Sequence, residues 1–304
     1  MAKRNQLSPS SRALVRRETI SGYLFLLPSL VFFIGFVIIP MVTCVWTSFT
    51  NATMGKDVKE QFIFFDNYVR LFQDEIFTRA LWNTVIIVLV SVPTVCVFSL
   101  WVASVIYDLK GPLTSAFRCI FYLPVVTGSV AVTVVWKWMF NKYTGLLNYV
   151  GTETGLLDKN IDWLGDSRFA LWCIILILFT TSVGQPIVLY VSALGNVDNS
   201  HVEAAKVDGA TDMQVFWKIK WPAIMPTTLY ILVITTINSF QCFALIQLLT
   251  SGGPMHSTDT IMYYIYYTCF KLFDYGYANA MGVVLAIIIA ILSAIQFKVA
   301  KTDD

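Results

Sequence analysis

Residues 203–222, which read EAAKVDGATDMQVFWKIKWP, concentrate charge in a chain that is otherwise strongly apolar. Three acidic and three basic side chains fall in this segment: Glu203, Asp208, Asp212, Lys206, Lys218 and Lys220. Long runs without a charged residue lie on both sides of it. The contrast raises the question of what such a polar element does between apolar runs.

Two helix starts follow each other here. Ser200 and Glu203 have the spacing of a capping box, in which each side chain accepts a hydrogen bond from the other residue's backbone amide. Thr211 and Gln214 repeat that spacing eleven positions later. The sequence therefore predicts two short helices in succession.

Gly209 lies between these helices, and glycine suits the left-handed conformation that ends a helix. Pro222 is predicted to stop the second helix before the next apolar run. Ala204, Ala205 and Ala210 would keep the turn slim enough to enter a groove on a partner.

An ordinary connector is the alternative interpretation. A DNA-binding helix-turn-helix is disfavoured, because an element tethered at both ends to membrane spans cannot easily reach nucleic acid.

A second set of polar residues lies inside the apolar run that follows. These residues recur mostly at three- and four-residue spacing, which places them along one helical stripe: Thr235, Asn238, Ser239, Cys242 and Gln247. Polar side chains in a membrane helix face a neighbouring helix or a wet cavity. Both interpretations stay open at this point, namely hydrogen bonding between helices and a path for a polar substrate.

Several kinds of chemistry have no residues to support them. The sequence has no GxxxxGK[ST] segment for nucleotide hydrolysis, and its only histidines, His201 and His256, do not form an HExxH zinc motif. The apolar runs contain no Asp or Glu, which disfavours a proton- or ion-coupled carrier. The cysteines are interpreted as small apolar side chains, with no metal or disulfide role: Cys44, Cys96, Cys119, Cys173, Cys242 and Cys269.

The elements that must position these residues are membrane helices. The chain is 57% hydrophobic and 13% charged, whereas a soluble domain carries about 25% charged residues. Six charge-free runs are long enough to cross a bilayer as helices, and they cover residues 19–55, 80–107, 119–136, 169–197, 221–258 and 275–297. The sequence thus predicts an all-α integral membrane protein with six transmembrane helices. Pro93, Pro124 and Pro186 are expected to kink spans two, three and four.

Basic residues predict the orientation. A cluster abuts the first span, namely Lys3, Arg4, Arg12, Arg16 and Arg17. Loops retained in the cytoplasm are enriched in Lys and Arg, so both termini and the segment 198–222 are predicted to be cytoplasmic. We divide the chain into a basic cytoplasmic tail (1–19), a first transmembrane helix with its outer loop (20–79), a five-helix core (80–298) and a short cytoplasmic tail (299–304).

The pattern of Glu203, Ala204, Ala205, Gly209, Ile219 and Pro222 resembles the EAA loop of binding-protein-dependent ABC transporter permeases. Trp221 departs from this pattern, since the family usually has leucine there. The segments GYLFLLPSLVFFIGFVIIP, FDNYVRLFQD, GLLNYV, LLTSGGPMHSTDT and YGYANAMGVVL are also similar to the sugar permeases, and in particular to the first permease subunit of the maltose type. The resemblance covers nearly the whole chain.

This resemblance implies a type I ABC importer permease fold in a prokaryotic cell membrane. It also implies that residues of segment 198–222 couple the chain to an ATPase: Glu203, Ala204, Ala205, Asp208, Gly209, Ala210, Met213, Phe216 and Pro222. The implied partners are two ATPase subunits, a second homologous permease and an extracytoplasmic binding protein. The permease itself would not be an enzyme, and no cofactor is implied.

The resemblance further implies a substrate path on spans four and five. The matching positions are Val183, Gly184, Gln185, Ile187, Thr235, Asn238, Ser239 and Cys242. The expected substrate is a carbohydrate, with an oligosaccharide favoured. A glycerol-phosphate-type substrate is the alternative within the same class of transporter, and a stand-alone secondary carrier is the alternative outside it.

Overall fold

The computed structural model describes residues 9–54, 60–107, 109 and 112–301. Across these residues the regular elements are helices. The first eight are α1 (Pro9–Phe33), α2 (Ile39–Thr47), α3 (Asp66–Gln73), α4 (Glu75–Tyr107), α5 (Pro112–Val126), α6 (Ser129–Met139), α7 (Leu146–Glu153) and α8 (Ala170–Ser182). The remaining ones are α9 (Gly184–Gly195), α10 (Asn199–Val207), α11 (Asp212–Val215), α12 (Trp221–Phe240), α13 (Ala244–Leu249), α14 (Ile261–Phe270) and α15 (Tyr275–Lys301). Two π-helical segments, Ile34–Ile38 and Phe216–Lys220, join α1 to α2 and α11 to α12.

Five helical stretches are long and apolar enough to cross a membrane: Arg17–Thr47, Glu75–Tyr107, Ala170–Gly195, Asp212–Leu249 and Tyr275–Val299. The pair α5 and α6 makes a sixth if both helices are taken as one span. The all-α membrane architecture is therefore confirmed.

The third predicted span is not one helix. Helices α5 and α6 meet at an angle of 94°. The break falls at Gly128, whose extended backbone starts α6, and Pro124 lies inside α5. The proline kink predicted for this span is therefore displaced to the glycine, where an extended backbone interrupts the helix.

Span four breaks close to its predicted position, between Ser182 and Gly184. Pro186 explains the place, because its ring lacks an amide and clashes with the carbonyl four residues earlier, which is that of Ser182. Span two behaves differently, since α4 runs without interruption through Pro93.

The first helix begins earlier than predicted. Helix α1 starts at Pro9, so the second half of the predicted tail, residues 9–19, is helical. Residues 1–8, with Lys3 and Arg4, lie outside the described residues, and so do residues 302–304 of the second tail. The hydrophobic surface of Arg17–Thr47 is almost wholly exposed, although the Cys44 thiol donates a hydrogen bond of 3.3 Å to Asn279 of α15. In a membrane, lipid or another subunit must cover the rest of it.

Helix α4 lies at the centre of the bundle and packs against α8, α9 and α12. Its buried face contributes Val95 and Ala103, which belong to the same core cluster as Ile187, Tyr190 and Ile231. Close packing of this kind holds membrane helices together through dispersion forces, since lipid tails are as apolar as the side chains.

The two ends of the bundle carry different elements. At one end, the last turns of α4 and α9 meet α10 and α11. At the other end, the Asp74 carboxylate accepts hydrogen bonds of 2.7 Å from the hydroxyls of Tyr264 and Tyr277, and it also caps α4 through the amides of Ile76 and Phe77. Burial raises the pKa of Asp74, but the four hydrogen bonds outweigh it and leave the pKa below its ordinary value.

Candidate functional site

Helix α10 starts with a cap other than the one predicted. It begins at Asn199, and the carboxylate of Asp198 accepts a hydrogen bond of 2.9 Å from the Ser200 amide. This bond lowers the pKa of Asp198. The predicted capping box of Ser200 and Glu203 is therefore wrong. Asp198 has an extended backbone at the helix start, so its carboxylate takes the capping role that was assigned to Ser200.

The turn after α10 is built as predicted. Gly209 has φ of +83°, its amide donates to Lys206 (3.1 Å), and the Ala210 amide donates to Ala205 (2.9 Å). These two bonds form a Schellman motif, which pairs the last carbonyls of a helix. Residues with a Cβ atom disfavour this φ, so glycine is suited to the position.

Helix α11 then begins with the predicted capping box. The Thr211 hydroxyl accepts a bond of 3.3 Å from the Gln214 amide, and the Gln214 side chain accepts one of 2.8 Å from the Thr211 amide. Side chains thus satisfy two amides at the start of α11.

Pro222 does not stop this helix. Helix α11 continues through the π segment Phe216–Lys220 into α12, and Pro222 occupies the first turn of α12. The Trp221 amide bonds the Phe216 carbonyl, which is the five-residue spacing of a π-helix. This wider turn accommodates the missing proline amide, so the chain remains helical from Asp212 to Phe240.

The α10–α11 turn presents most of the predicted coupling residues to its surroundings. Six of them are exposed, namely Glu203, Ala204, Asp208, Gly209, Met213 and Pro222, and Ala205, Ala210 and Phe216 are half-buried. Val207 is 87% exposed and was missed. The sequence feature that could have identified Val207 is an apolar side chain on the exposed face of a charged helix. Together with Met213, it gives the turn an apolar contact surface of the kind that interfaces use.

The turn is anchored to the bundle by Val215, which is buried. Behind it lies a cavity of about 320 Å³, bounded by Tyr107 at the end of α4 and Leu194 at the end of α9. The ammonium group of Lys220 lies 5.2 Å from the centre of the Tyr107 ring, which is a cation–π distance. The turn therefore lies against the ends of two core helices.

A polar cleft of about 190 Å³ lies deeper in the bundle, between α5, α9 and α12. Three residues of the predicted substrate path, Gln185, Thr235 and Asn238, line this cleft together. Thr181 and Ser182 also line this cleft. They were not included in the predicted substrate path, although hydroxyl side chains shortly before Pro186 could have indicated them.

A second cleft of about 330 Å³ adjoins the first, since Val125 and Thr181 line both. The two clefts together are called the polar groove below. The second cleft is lined by Cys242 and by Gln241, which was also missed despite lying three residues after Asn238. The other lining residues are Pro124, Thr127, Ser129, Val132, Leu178, Phe243, Ala244 and Leu245.

The remaining predicted path residues lie in packing contacts. Ser239 shares a hydrogen bond of 3.1 Å with Ser91 of α4, and the Val183 carbonyl accepts one of 3.3 Å from Ser99. Ile187 is fully buried in the core cluster. A Cβ atom at Gly184 would collide with the carbonyl oxygen of Phe121, so this glycine permits close approach of α5.

The predicted single stripe on span five is wrong beyond Phe240. Helix α12 ends there, Cys242 lies in the following turn, and Gln247 belongs to the separate helix α13. Helical spacing therefore does not relate Cys242 and Gln247 to the rest. Within the described ranges, no group of three or more His, Cys, Asp or Glu side chains is placed to hold a metal ion.

Comparison with known proteins places this geometry in context. The family described as binding-protein-dependent transport system inner membrane component matches residues 72–301. The chain is 31% identical to the lactose transport system permease protein LacF of Rhizobium radiobacter, over 96% of this chain and 98% of the relative.

The fold of this chain is also similar to that of solved transporter structures. A chain of a bacterial ABC transporter that imports the acidic polysaccharide alginate has a TM-score of 0.81 at 25% identity, over 96% of this chain and 99% of that one. A second structure, of the bacterial alginate transporter with a periplasmic protein that holds an alginate pentasaccharide, has a TM-score of 0.79 at 26% identity and covers 93% and 94%. With a membrane-helix bundle, an exposed capped turn and a family match over most of its length, the chain belongs to the inner-membrane permeases of binding-protein-dependent transport systems.

Proposed function

We propose that this chain is one permease subunit of an ABC importer for a carbohydrate that an extracytoplasmic binding protein delivers. One observation carries the mechanism: the α10–α11 turn and the polar groove are connected by unbroken helix from Asp212 to Phe240. From Asp212 to Asn238 this rod is about 40 Å long, at 1.5 Å per residue. A displacement of the turn is therefore transmitted to the wall of the groove.

The α10–α11 turn would dock into a separate ATPase subunit. Its apolar tip and its charged flanks suit a groove on a partner, and the whole importer would contain two ATPase subunits and a second homologous permease. ATP binding would draw the two ATPases together and rock the helices, so that the groove faces the two sides of the membrane in turn. Such a rigid-body change needs an element with two stable arrangements.

The groove is suited to sugar hydroxyl groups. Gln185, Asn238 and Thr235 offer amide and hydroxyl groups that can both donate and accept hydrogen bonds. The path residues named from the resemblance divide accordingly. We assign contact with substrate to Gln185, Thr235, Asn238 and Cys242, and a supporting role to Val183, Gly184, Ile187 and Ser239.

Reconstitution tests the proposal. Proteoliposomes with this chain, its partner permease, both ATPases, the binding protein and ATP should take up sugar, and liposomes with this chain alone should not. ATP hydrolysis should rise when the loaded binding protein is added. Uptake by the isolated chain without ATP would overturn the proposal in favour of a stand-alone carrier.

A further inference from the structure

The polar groove contains no charged side chain. All residues that line its two clefts are described, and none of them is Asp, Glu, Lys, Arg or His. The stretches of sequence that supply the lining, residues 124–132, 178–189 and 234–245, are free of charge along their whole length. The groove wall that this chain contributes therefore carries polar side chains among apolar ones and is electrically neutral.

The polar side chains of the groove have unused hydrogen-bonding capacity. Gln185, Asn238 and Gln241 are exposed, and within the described part of the chain their side-chain amide groups take part in no hydrogen bond. The Thr181 hydroxyl, in contrast, donates to the Ile177 and Leu178 carbonyls. Three free amides along one groove can pair with several hydroxyl groups of a passing molecule.

The same wall is unfavourable for an anion. A carboxylate or phosphate that leaves water needs a counter-charge or several strong donors, and proteins usually supply Arg or Lys for this purpose. A sugar hydroxyl loses far less hydration free energy than an anion does, and a side-chain amide can supply the hydrogen bond that replaces its water. We infer that the groove passes uncharged glycans and discriminates against acidic or phosphorylated ones, an inference that rests on the carbohydrate import proposed above.

The inference separates this chain from two possibilities. The structurally similar alginate importer carries an acidic polysaccharide, and a glycerol-phosphate-type substrate was the alternative suggested by the sequence. Both substrates are anions, and neither finds a cationic partner in this part of the path.

A matched pair of substrates tests the inference in the complete reconstituted importer. The pair is a neutral oligosaccharide that the binding protein accepts and the same oligosaccharide with one uronic acid unit. Uptake of each is measured with the binding protein saturated. We expect the neutral member to be imported about tenfold faster or more, which corresponds to the loss of about one strong hydrogen bond. The acidic member is chosen so that the binding protein accepts it too, and a difference in uptake then reports on the permease.

Two variants at one position attribute the effect to this chain. Asn238→Lys places a cation in the groove and should raise uptake of the acidic member relative to the neutral one, whereas Asn238→Asp should lower it further. Equal or faster uptake of the acidic member by the unmodified importer would overturn the inference but leave carbohydrate import intact. Failure to import any sugar in the presence of ATP would instead overturn the proposed function itself.

Discussion

The ammonium group of Lys206 lies 3.0 Å from the carboxylate of Asp212, so one ion pair joins α10 to α11 across the turn at Gly209. Both side chains are more than half exposed, and such pairs contribute only about 0–1 kcal/mol. The backbone bonds around Gly209 are therefore the stronger determinant of the angle between the two helices. Replacing Lys206 by Met should leave ATP-driven transport close to the unmodified level.

Gly209→Val should uncouple the transporter. A residue with a Cβ in the left-handed region costs about 1–2 kcal/mol, and a β-branched side chain is especially strained there. We expect normal membrane insertion but strongly reduced transport and reduced stimulation of ATP hydrolysis, as measured in proteoliposomes. Gly209→Asn is the matched control, because Asn tolerates this conformation and should retain most activity.

Glu203→Lys reverses an exposed charge on α10 without touching the turn. If this face docks on a basic ATPase surface, the variant should insert normally and lose affinity for the ATPase subunit. Co-purification of the ATPase with the permease measures this directly, and the loss should lessen at high salt concentration, since screening weakens the repulsion between like charges. Unchanged co-purification and unchanged transport would remove Glu203 from the docking surface.

Cysteine labelling in intact cells tests the orientation. In a chain whose own cysteines are replaced, Ser167→Cys should react with a membrane-impermeant maleimide, and Thr211→Cys should react only after the membrane is opened. Both side chains are exposed, so the difference reports the side of the membrane rather than burial. Labelling at position 211 in sealed cells contradicts cytoplasmic termini.

Gly184→Ala distinguishes packing from substrate contact. The added methyl group would meet the Phe121 carbonyl and the Val125 side chain, and overpacking of this kind costs about 1–3 kcal/mol. We expect a lower melting temperature in detergent together with reduced transport. Gly282→Ala is the control, since no neighbouring atom lies within 4 Å of its added Cβ. Normal stability with altered sugar selectivity would place Gly184 in the path instead.

Asp74→Asn should destabilise the end of the bundle opposite the α10–α11 turn by about 1–3 kcal/mol, because charge-assisted hydrogen bonds from Tyr264 and Tyr277 are lost. The pKa of Asp74 is lower in the folded protein than its ordinary value of 3.8. Its contribution is therefore fully present above pH 3.8 and is lost as the pH falls through the folded-state pKa. The melting temperatures of the unmodified protein and of the Asp74→Asn variant should therefore converge once the pH is below the folded-state pKa of Asp74.

Much of this protein was readable from local sequence. Uninterrupted apolar runs predict membrane helices because a bilayer leaves no other partner for backbone amides. The turn at Gly209 and the capping box at Thr211 could be predicted because each depends only on residues within a few positions of one another. The Asp198 cap escaped prediction because Asp198 and Ser200, two positions apart, could each fill the role, and the backbone at the helix start decides between them.

The tertiary structure determined which residues that are distant in sequence lie together. Gln185 and Asn238 are 53 positions apart and line one cleft, whereas Ser239, the neighbour of Asn238, turns toward Ser91 and packs. Helical spacing places residues on a face, but only the packing of α4, α9 and α15 against α12 determines which face is covered and which is open. The π segment before α12 and the sharp bend between α5 and α6 likewise depend on how backbone groups find partners in the assembled bundle, so the apolar pattern alone predicted neither.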